Sequence, residues 1–212
     1  LTDVTSLAAA VGRGRRSAIG VHGFAEGGLL VEFGSLPSER LAPLKYRAAV
    51  PDTWRFVLLR PPDVRGTSGT AEERAFAELP AVSRGFTRAL QDEVERQLLP
   101  SLKHADFDAF AHSIYRYGSL AGEAFAPCQD GRFATAAAAR LVARIRAAGW
   151  PGVVQTSWGP TLAVATRDED DAERLVAELR APDSQTADLE ITVARPQNRG
   201  AMISKRCEAT SD

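Results

Sequence analysis

The stretch that most constrains this chain is Gln155-Thr-Ser-Trp-Gly-Pro-Thr161, set between two β-rich segments, Val153-Val154 and Leu162-Ala-Val-Ala-Thr166. Glycine and proline punctuate strands rather than continue them, so this stretch reads as a turn between antiparallel neighbours. A helix follows, capped by Asp168, with Ala172, Leu175, Val176 and Leu179 on its apolar face and Pro182 as its stop. Leu189-Glu-Ile-Thr-Val193 then alternates with the period of a strand. Upstream, Trp54-Arg-Phe-Val-Leu-Leu59 is a strand ended by Pro61-Pro62. Between these strands the periodicity predicts helices over residues 70–79, 82–99, 106–125 and 135–148. The first opens on a capping box, Thr70 with Glu73, and the last turns Leu141, Val142 and Ile145 inward. The order strand, helices, strand, strand, helix, strand is a split βαβ, ferredoxin-like α+β design with extra helices in its first crossover. It predicts one α+β domain from about Pro51 to Ala194, with the last three strands in one antiparallel sheet.

The rest of the chain reads less sharply. Residues 2–12 form a helix capped by Thr2 or Asp3, with Val4, Leu7, Ala8 and Val11 apolar and Gly12 and Gly14 at its end. Ala18-Ile-Gly-Val21 and Leu29-Leu-Val-Glu-Phe33 read as strands on either side of a Gly27-Gly28 turn. Residues 34–44 read as linker or domain crossover. Beyond Pro196 the chain is polar and reads as a disordered tail.

Composition excludes several classes. A net charge of −1 gives no support for a general nucleic-acid or anionic-membrane surface. No apolar run approaches the roughly 18 residues of a membrane span, and no secretory pattern opens the chain. Cys128 and Cys207 stand alone, which fits a reducing cytoplasm. His22, His104 and His112 form no zinc-binding pair; His104 and His112 read as surface residues.

Three arginines, Arg13, Arg15 and Arg16, lie between glycines and an apolar segment, beside Ser17. Guanidinium groups bind phosphate bidentately, so the cluster suits a phosphate-bearing ligand; the plain alternative is a solvated loop. In the turn, Gln155, Ser157, Gly159 and Thr161 can hydrogen-bond a ligand, and Trp158 offers an aromatic face. The alternative is a structural hairpin in which Trp158 fills a gap in the core. Gln129, Asp130 and Arg132 lie between two helices, where Asp130-Gly131 is also an ordinary turn signal. Glu72 and Glu73 open a helix, where the dipole favours carboxylates, and offer weak support for Mg²⁺.

The turn resembles the third conserved motif of the GHMP kinase superfamily. Gly12-Arg-Gly-Arg-Arg-Ser-Ala-Ile-Gly-Val-His-Gly-Phe24, with Gly27-Gly28, resembles the β-ribofuranosylaminobenzene 5′-phosphate synthase family. The similarity continues through Gly66-Thr-Ser-Gly69, Glu72-Glu73-Arg74-Ala-Phe76, Phe125-Ala-Pro-Cys-Gln129 and Gly131-Arg-Phe-Ala134. The resemblance implies a GHMP kinase-like fold: residues 1–44 as a remnant of the N-terminal domain and crossover, 45–196 as the C-terminal domain, and 197–212 as tail. It also implies a phosphoribosyltransferase that joins phosphoribosyl pyrophosphate to para-aminobenzoate or para-hydroxybenzoate. Pyrophosphate and carbon dioxide are released, in tetrahydromethanopterin biosynthesis.

His22 stands where kinases of the superfamily carry an aspartate, so the resemblance makes it the catalytic candidate. Arg13, Arg15, Arg16, Ser17, Gln129, Gln155, Ser157, Trp158, Gly159 and Thr161 become substrate-binding candidates. Partners are small molecules, with a homodimer as one way to cover apolar surface near the N-terminus. Two other readings stand beside this one: an ATP-dependent small-molecule kinase, and a non-catalytic relic or binding module. Leu1 as first residue reads as a fragment, a processed product or an unusual start, with the superfamily's phosphate loop expected upstream.

Overall fold

A cap sets the first local structure. The Asp3 carboxylate accepts the Ser6 backbone N–H at 3.1 Å and also the Thr5 hydroxyl, and α1 (Val4–Ala10) follows. The structure is a computed structural model and describes residues 3–14, 17–34, 41–62, 69–129, 131–182 and 186–202. After α1, Gly12 and Gly14 adopt positive φ, at 72° and 76°.

α2 (Ile19–Glu26) then occupies the segment read from sequence as a strand. An apolar window this short cannot separate the helical period from the strand period. A tertiary contact fixes the helix start, because the Glu32 carboxylate accepts the Ala18 N–H at 2.7 Å. β1 (Leu29–Glu32) pairs antiparallel with β2 (Leu44–Ala48), across a bulge between Val31 and Glu32. The sequence reading assigned no strand to β2, although Leu44, Tyr46 and Ala48 alternate with Lys45 and Arg47 over a run too short to stand out from the preceding linker.

Residues 197–201 return to these elements. Gly28 N–H donates to the Gln197 carbonyl at 2.7 Å, and Ala201 N–H to that of Phe24 at 2.8 Å. The Asn198 amide bonds both backbone groups of Val50, each at 2.8 Å. The beginning of the segment expected to be a disordered tail is thus anchored through its own backbone and one amide. A Cβ on Gly27 would lie 2.4 Å from the Arg199 carbonyl oxygen, so this close approach requires a glycine there as well as the turn. The division into two units falls after Val50, and the described residues from Gln197 onward go with the first unit.

The second unit, Pro51–Pro196, carries the sheet. β3 (Arg55–Arg60) leads to α3 (Gly69–Glu78), α4 (Arg84–Glu93), a π-helical turn at Val94–Leu98, and α5 (Leu99–Lys103). After them come α6 (Phe107–Phe125), a 3₁₀ turn at Ala126–Cys128, α7 (Ala136–Ala147), β4 (Val153–Gln155), β5 (Leu162–Thr166), α8 (Glu169–Arg180) and β6 (Glu190–Ala194). The strand order is β4-β5-β3-β6, with every pairing antiparallel, as a split βαβ requires. Val153 faces Val164 and Val154 faces Ala163, so the predicted strand-turn-strand is present. The helix expected over residues 82–99 is interrupted by the π turn because Pro100 has no N–H to donate; the Leu99 N–H reaches back to Val94 instead.

Val57 and Leu59 of β3 and Leu162 and Val164 of β5 pack on Val142 and Ile145 of α7 and on Ala172, Leu175 and Leu179 of α8. Burying each of the larger side chains stabilises the unit by roughly 1.5–3 kcal/mol. α6 lies close to β4, where a Cβ on Gly118 would come within 2.3 Å of the Val154 side chain. Trp54 packs on Phe107 and Phe110 with ring centroids 5.3 and 4.7 Å away.

One buried cation ties the start of β3 to α8. Arg55 donates to the Asp52, Thr53 and Trp54 carbonyls at 2.8–2.9 Å and to Glu169 at 2.6 Å. Arg55→Leu would strand these acceptors and should cost about 2–4 kcal/mol in urea unfolding. The bond from Arg55 holds the Glu169 carboxyl below its ordinary value. A carboxyl depressed in the folded state stabilises above the ordinary carboxylate range and loses that contribution as pH falls through its folded value. Unfolding followed from neutral pH into the acid range should show this loss, and Glu169→Gln should make that limb shallower. An unchanged limb would show that Glu169 has no part in acid unfolding.

Candidate functional site

The sequence-predicted site residues fall into two sets, one on each unit. On the first unit, the loop bearing Gly12, Arg13 and Gly14 leads to Ser17 and the N-terminus of α2. Arg15 and Arg16 lie outside the described residues. Arg13 is exposed and makes no ion pair with the described residues. The Ser17 hydroxyl accepts the Ile19 N–H at 3.3 Å. The first N–H groups of α2 are taken within the unit, Ala18 by the Glu32 carboxylate and Ile19 by the Ser17 hydroxyl, so an anion here would rest on the arginines rather than on the helix end. Sequence reasoning took residues 18–21 for a strand, so the helix that follows Ser17 was missed.

His22 is on α2, not on a strand. It is half-buried, and its Nε2 lies 2.8 Å from the Ala42 carbonyl oxygen. A carbonyl only accepts, so Nε2 carries the proton in this bond, and in the neutral ring that leaves the lone pair on Nδ1. Together with Thr5, Ser6, Leu41 and Pro43, His22 lines a cleft of about 300 Å³ on the first unit.

On the second unit the predicted turn is tightly made. Thr156 N–H donates to the Thr161 carbonyl at 3.0 Å, and Gly159 N–H to the Thr156 carbonyl at 2.7 Å. Ser157 has φ 46°, a conformation uncommon outside glycine, and the Gly159-Pro160 peptide is cis. The Gln155 amide is fully engaged: its oxygen accepts Ala134 N–H at 2.6 Å, and its nitrogen donates to the Ser157 carbonyl at 3.0 Å. Gln155 therefore positions the turn against the segment before α7. Gly159 packs there too, since a Cβ on it would lie 3.0 Å from the Ala134 Cβ. Ser157 is exposed, and the Ser157 and Thr161 hydroxyls make no hydrogen bond to the described residues.

Trp158 is 7% exposed and packs edgewise on Phe76 and Phe125, with centroids 5.2 and 4.7 Å away. Its ring fills a core gap, as the plainer reading of the sequence allowed. The indole N–H is nonetheless buried without a hydrogen-bond partner, and so are both amide atoms of Gln129. Buried polar groups are normally paired, so these atoms mark where a water or a ligand group belongs. Nearby, Cys128 Sγ lies 3.6 Å from the Ala75 carbonyl, which links the segment before Gln129 to α3. Arg132 pairs with Glu123 at 2.8 Å, and Asp130 lies outside the described residues. Glu72 and Glu73 open α3, and no group of three His, Cys, Asp or Glu side chains among the described residues could hold a metal ion. No helix among them is long and apolar enough to cross a membrane.

Comparison with known proteins adds to this geometry. No family model matches the chain. It is 27% identical, over an alignment of 212 residues, to the β-ribofuranosylphenol 5′-phosphate synthase of Methanothermobacter thermautotrophicus, covering 94% of this chain and 61% of the relative. It is 32% identical over 126 residues to the enzyme of the same name from Archaeoglobus fulgidus, covering 54% of this chain and 40% of the relative. The chain thus spans less than two thirds of the length of either relative. Among solved structures, mevalonate diphosphate decarboxylase from Staphylococcus aureus superposes with a TM-score of 0.56 at 14% identity, over 93% of this chain and 59% of that one. Mevalonate kinase from L. major superposes with a TM-score of 0.55 at 14% identity, over 82% and 51%. At such identity these structures speak for the fold alone. By sequence the chain is similar to the β-ribofuranosylphenol 5′-phosphate synthases, and its α+β fold is like those of mevalonate kinase and mevalonate diphosphate decarboxylase.

Proposed function

We propose that this chain belongs to a phosphoribosyltransferase that joins phosphoribosyl pyrophosphate to an aryl carboxylic acid, releasing pyrophosphate and carbon dioxide. The observation that supports the reading is the exposed Arg13, between two glycines, on the same unit as His22, whose imidazole lines a cleft of about 300 Å³. Arg13, with Arg15 and Arg16, would hold phosphate groups through their guanidinium forks. The names of the relatives carry a phenol, which favours para-hydroxybenzoate over para-aminobenzoate as the first acceptor to test. In this reading the product feeds tetrahydromethanopterin biosynthesis and the enzyme works in the cytoplasm. No step is assigned to Mg²⁺.

The bond changes balance without a further reactant. The carbon–oxygen bond to pyrophosphate breaks, and pyrophosphate leaves with the electron pair. The ring carbon bearing the carboxylate bonds to the sugar carbon. The carboxyl carbon then departs as carbon dioxide, returning its bonding pair to the ring. His22, with Nε2 held by Ala42, keeps Nδ1 to accept the proton of the acceptor's hydroxyl or amino group. Withdrawing that proton enriches the ring carbon opposite it, which is the one that bears the carboxylate. On the second unit, Ser157, Thr161 and the Gln129 amide are substrate-binding candidates in their own right.

Carboxyl-labelled para-hydroxybenzoate with phosphoribosyl pyrophosphate should release labelled carbon dioxide in step with pyrophosphate. ATP turnover with a small alcohol, and no labelled carbon dioxide, would establish the kinase reading instead. Neither activity from a folded full-length protein would leave the binding-module reading. His22→Ala should lower turnover by ~10²–10⁴-fold, as loss of an acid-base group does, with unfolding little changed.

A separate expectation attaches to Gln129. Its buried amide lacks partners, so Gln129→Leu should leave stability unchanged or raise it, while KM for a substrate rises by roughly tenfold. A destabilised protein with unchanged KM would remove Gln129 from the site.

A further inference from the structure

A cleft of about 380 Å³ on the second unit is lined from the start of α6, the end of α7 and the start of α8, and the proposed reaction does not use it. Three arginines line it: Arg146 from α7, Arg167 from just after β5, and Arg174 from α8. Each guanidinium lies over an aromatic ring. Arg146 is 3.6 Å from the Tyr115 centroid, Arg174 4.9 Å from that of Trp150, and Arg167 5.0 Å from that of Phe107. A stacked guanidinium is held by its face and keeps its N–H groups, which lie in its plane, for a partner at its edge.

Two of the three have such a partner. Arg167 pairs with Asp108 at 2.5 Å and Arg174 with Asp171 at 2.9 Å. Arg146 is half-buried, its Nε is shut off from solvent, and it makes no ion pair or hydrogen bond with the described residues. A half-buried cation without an anion carries a desolvation cost that nothing offsets. Asp108 and Asp171 are the carboxylates in the lining, so the three arginines leave one positive charge over, and protonation of His112 makes it two.

Spacing along α6 selects the ligand. Asp108, His112 and Tyr115 stand at i, i+4 and i+7 and so share one face of the helix. Arg167 is fastened at the first and Arg146 at the last, about 10 Å apart along the axis. His112 lies between them, and its Nδ1 faces the Asp108 carbonyl oxygen at 2.8 Å, which leaves Nε2 for a ligand. One carboxylate cannot serve two guanidinium groups at that separation, because an ion pair needs N···O within about 4 Å. Two carboxylates on a short chain can. The N-termini of α6 and α8 already hold their own carboxylates, Asp106 and Asp168, so the cleft offers an anion side-chain donors rather than the backbone cradle usual for phosphate.

We propose that this cleft binds a short aliphatic dicarboxylate, with one carboxylate on Arg146, the other on Arg167 and His112 between them. The site rests on the second unit alone, and its ligand is neither substrate of the proposed reaction.

Glutarate is the probe, titrated by calorimetry into the full chain with no phosphoribosyl pyrophosphate or aryl acid present. Butyrate, which carries one carboxylate, and pyrophosphate are the comparators. Glutarate should saturate, butyrate should bind about tenfold more weakly, and pyrophosphate should not displace glutarate. Arg146→Gln should weaken glutarate by about tenfold. Asp108→Asn, at an exposed position, removes a negative charge beside Arg167 and should tighten glutarate by about threefold. A gain of this kind cannot come from a damaged fold, so Asp108→Asn decides alone should Arg146→Gln fail to fold. No saturable glutarate binding by the parent would overturn the proposal. So would glutarate binding that neither substitution alters, or butyrate that binds equally well. Displacement of glutarate by pyrophosphate would also overturn it, by marking a phosphate site.

Discussion

Everything in the second unit depends on β5. All of its residues from Leu162 to Thr166 are buried, and it is paired on both edges, to β4 and to β3. The β4 partner is adjacent in sequence. The β3 partner lies about a hundred residues upstream, and Arg55 must meet Thr166 in register. The intervening helices are therefore not free to pack anywhere: they must return the chain to the edge of β3 with the correct face inward. Distant pairings of this kind are slow to form and are held afterwards by burial. Arg55 adds direction, since its guanidinium holds the turn that enters β3 and the first residue of α8 together.

The turn leaving β4 is held rigid from both sides. Gln155 spends both ends of its amide on backbone, one end on the segment before α7 and the other within the turn. Trp158 anchors the turn below by packing on Phe76 and Phe125. The side chains that the sequence offers most readily as ligand contacts, the amide and the indole ring, are thus the ones that hold the frame. The Ser157 and Thr161 hydroxyls and the Gln129 amide make no hydrogen bond to the described residues. A rigid element with a few free polar groups costs little ordering when it binds.

The first unit is assembled by backbone contacts more than by a core. Neither α1 nor α2 buries a residue fully, and Leu7, Val11, Ile19, Phe24 and Phe33 are exposed. What holds it is the β1–β2 pair, the Glu32 carboxylate at the start of α2, and the strap of residues 197–201 across Gly27 and Gly28. The partnership of the two glycines with the C-terminal segment has no local signature, because it joins positions far apart in sequence.

The sequence by itself determined the architecture of the second unit. Asp168, Thr135 and Asp106 each cap the helix expected of them, and proline, glycine and strict alternation mark the strands, all of them local effects of a few residues. The candidate residues of the turn were equally legible, since Gly159 and Pro160 within a β-rich run are hard to read otherwise. Only the tertiary structure decided that Ala18 to Val21 is helix, through a carboxylate from the following strand. It alone decided that Trp158 is buried while the Gln129 amide has no partner among the described residues, and that residues 197–201 are fastened to the first unit. Each of these outcomes turns on a partner distant in sequence or on the packing around it, and periodicity carries no information about either.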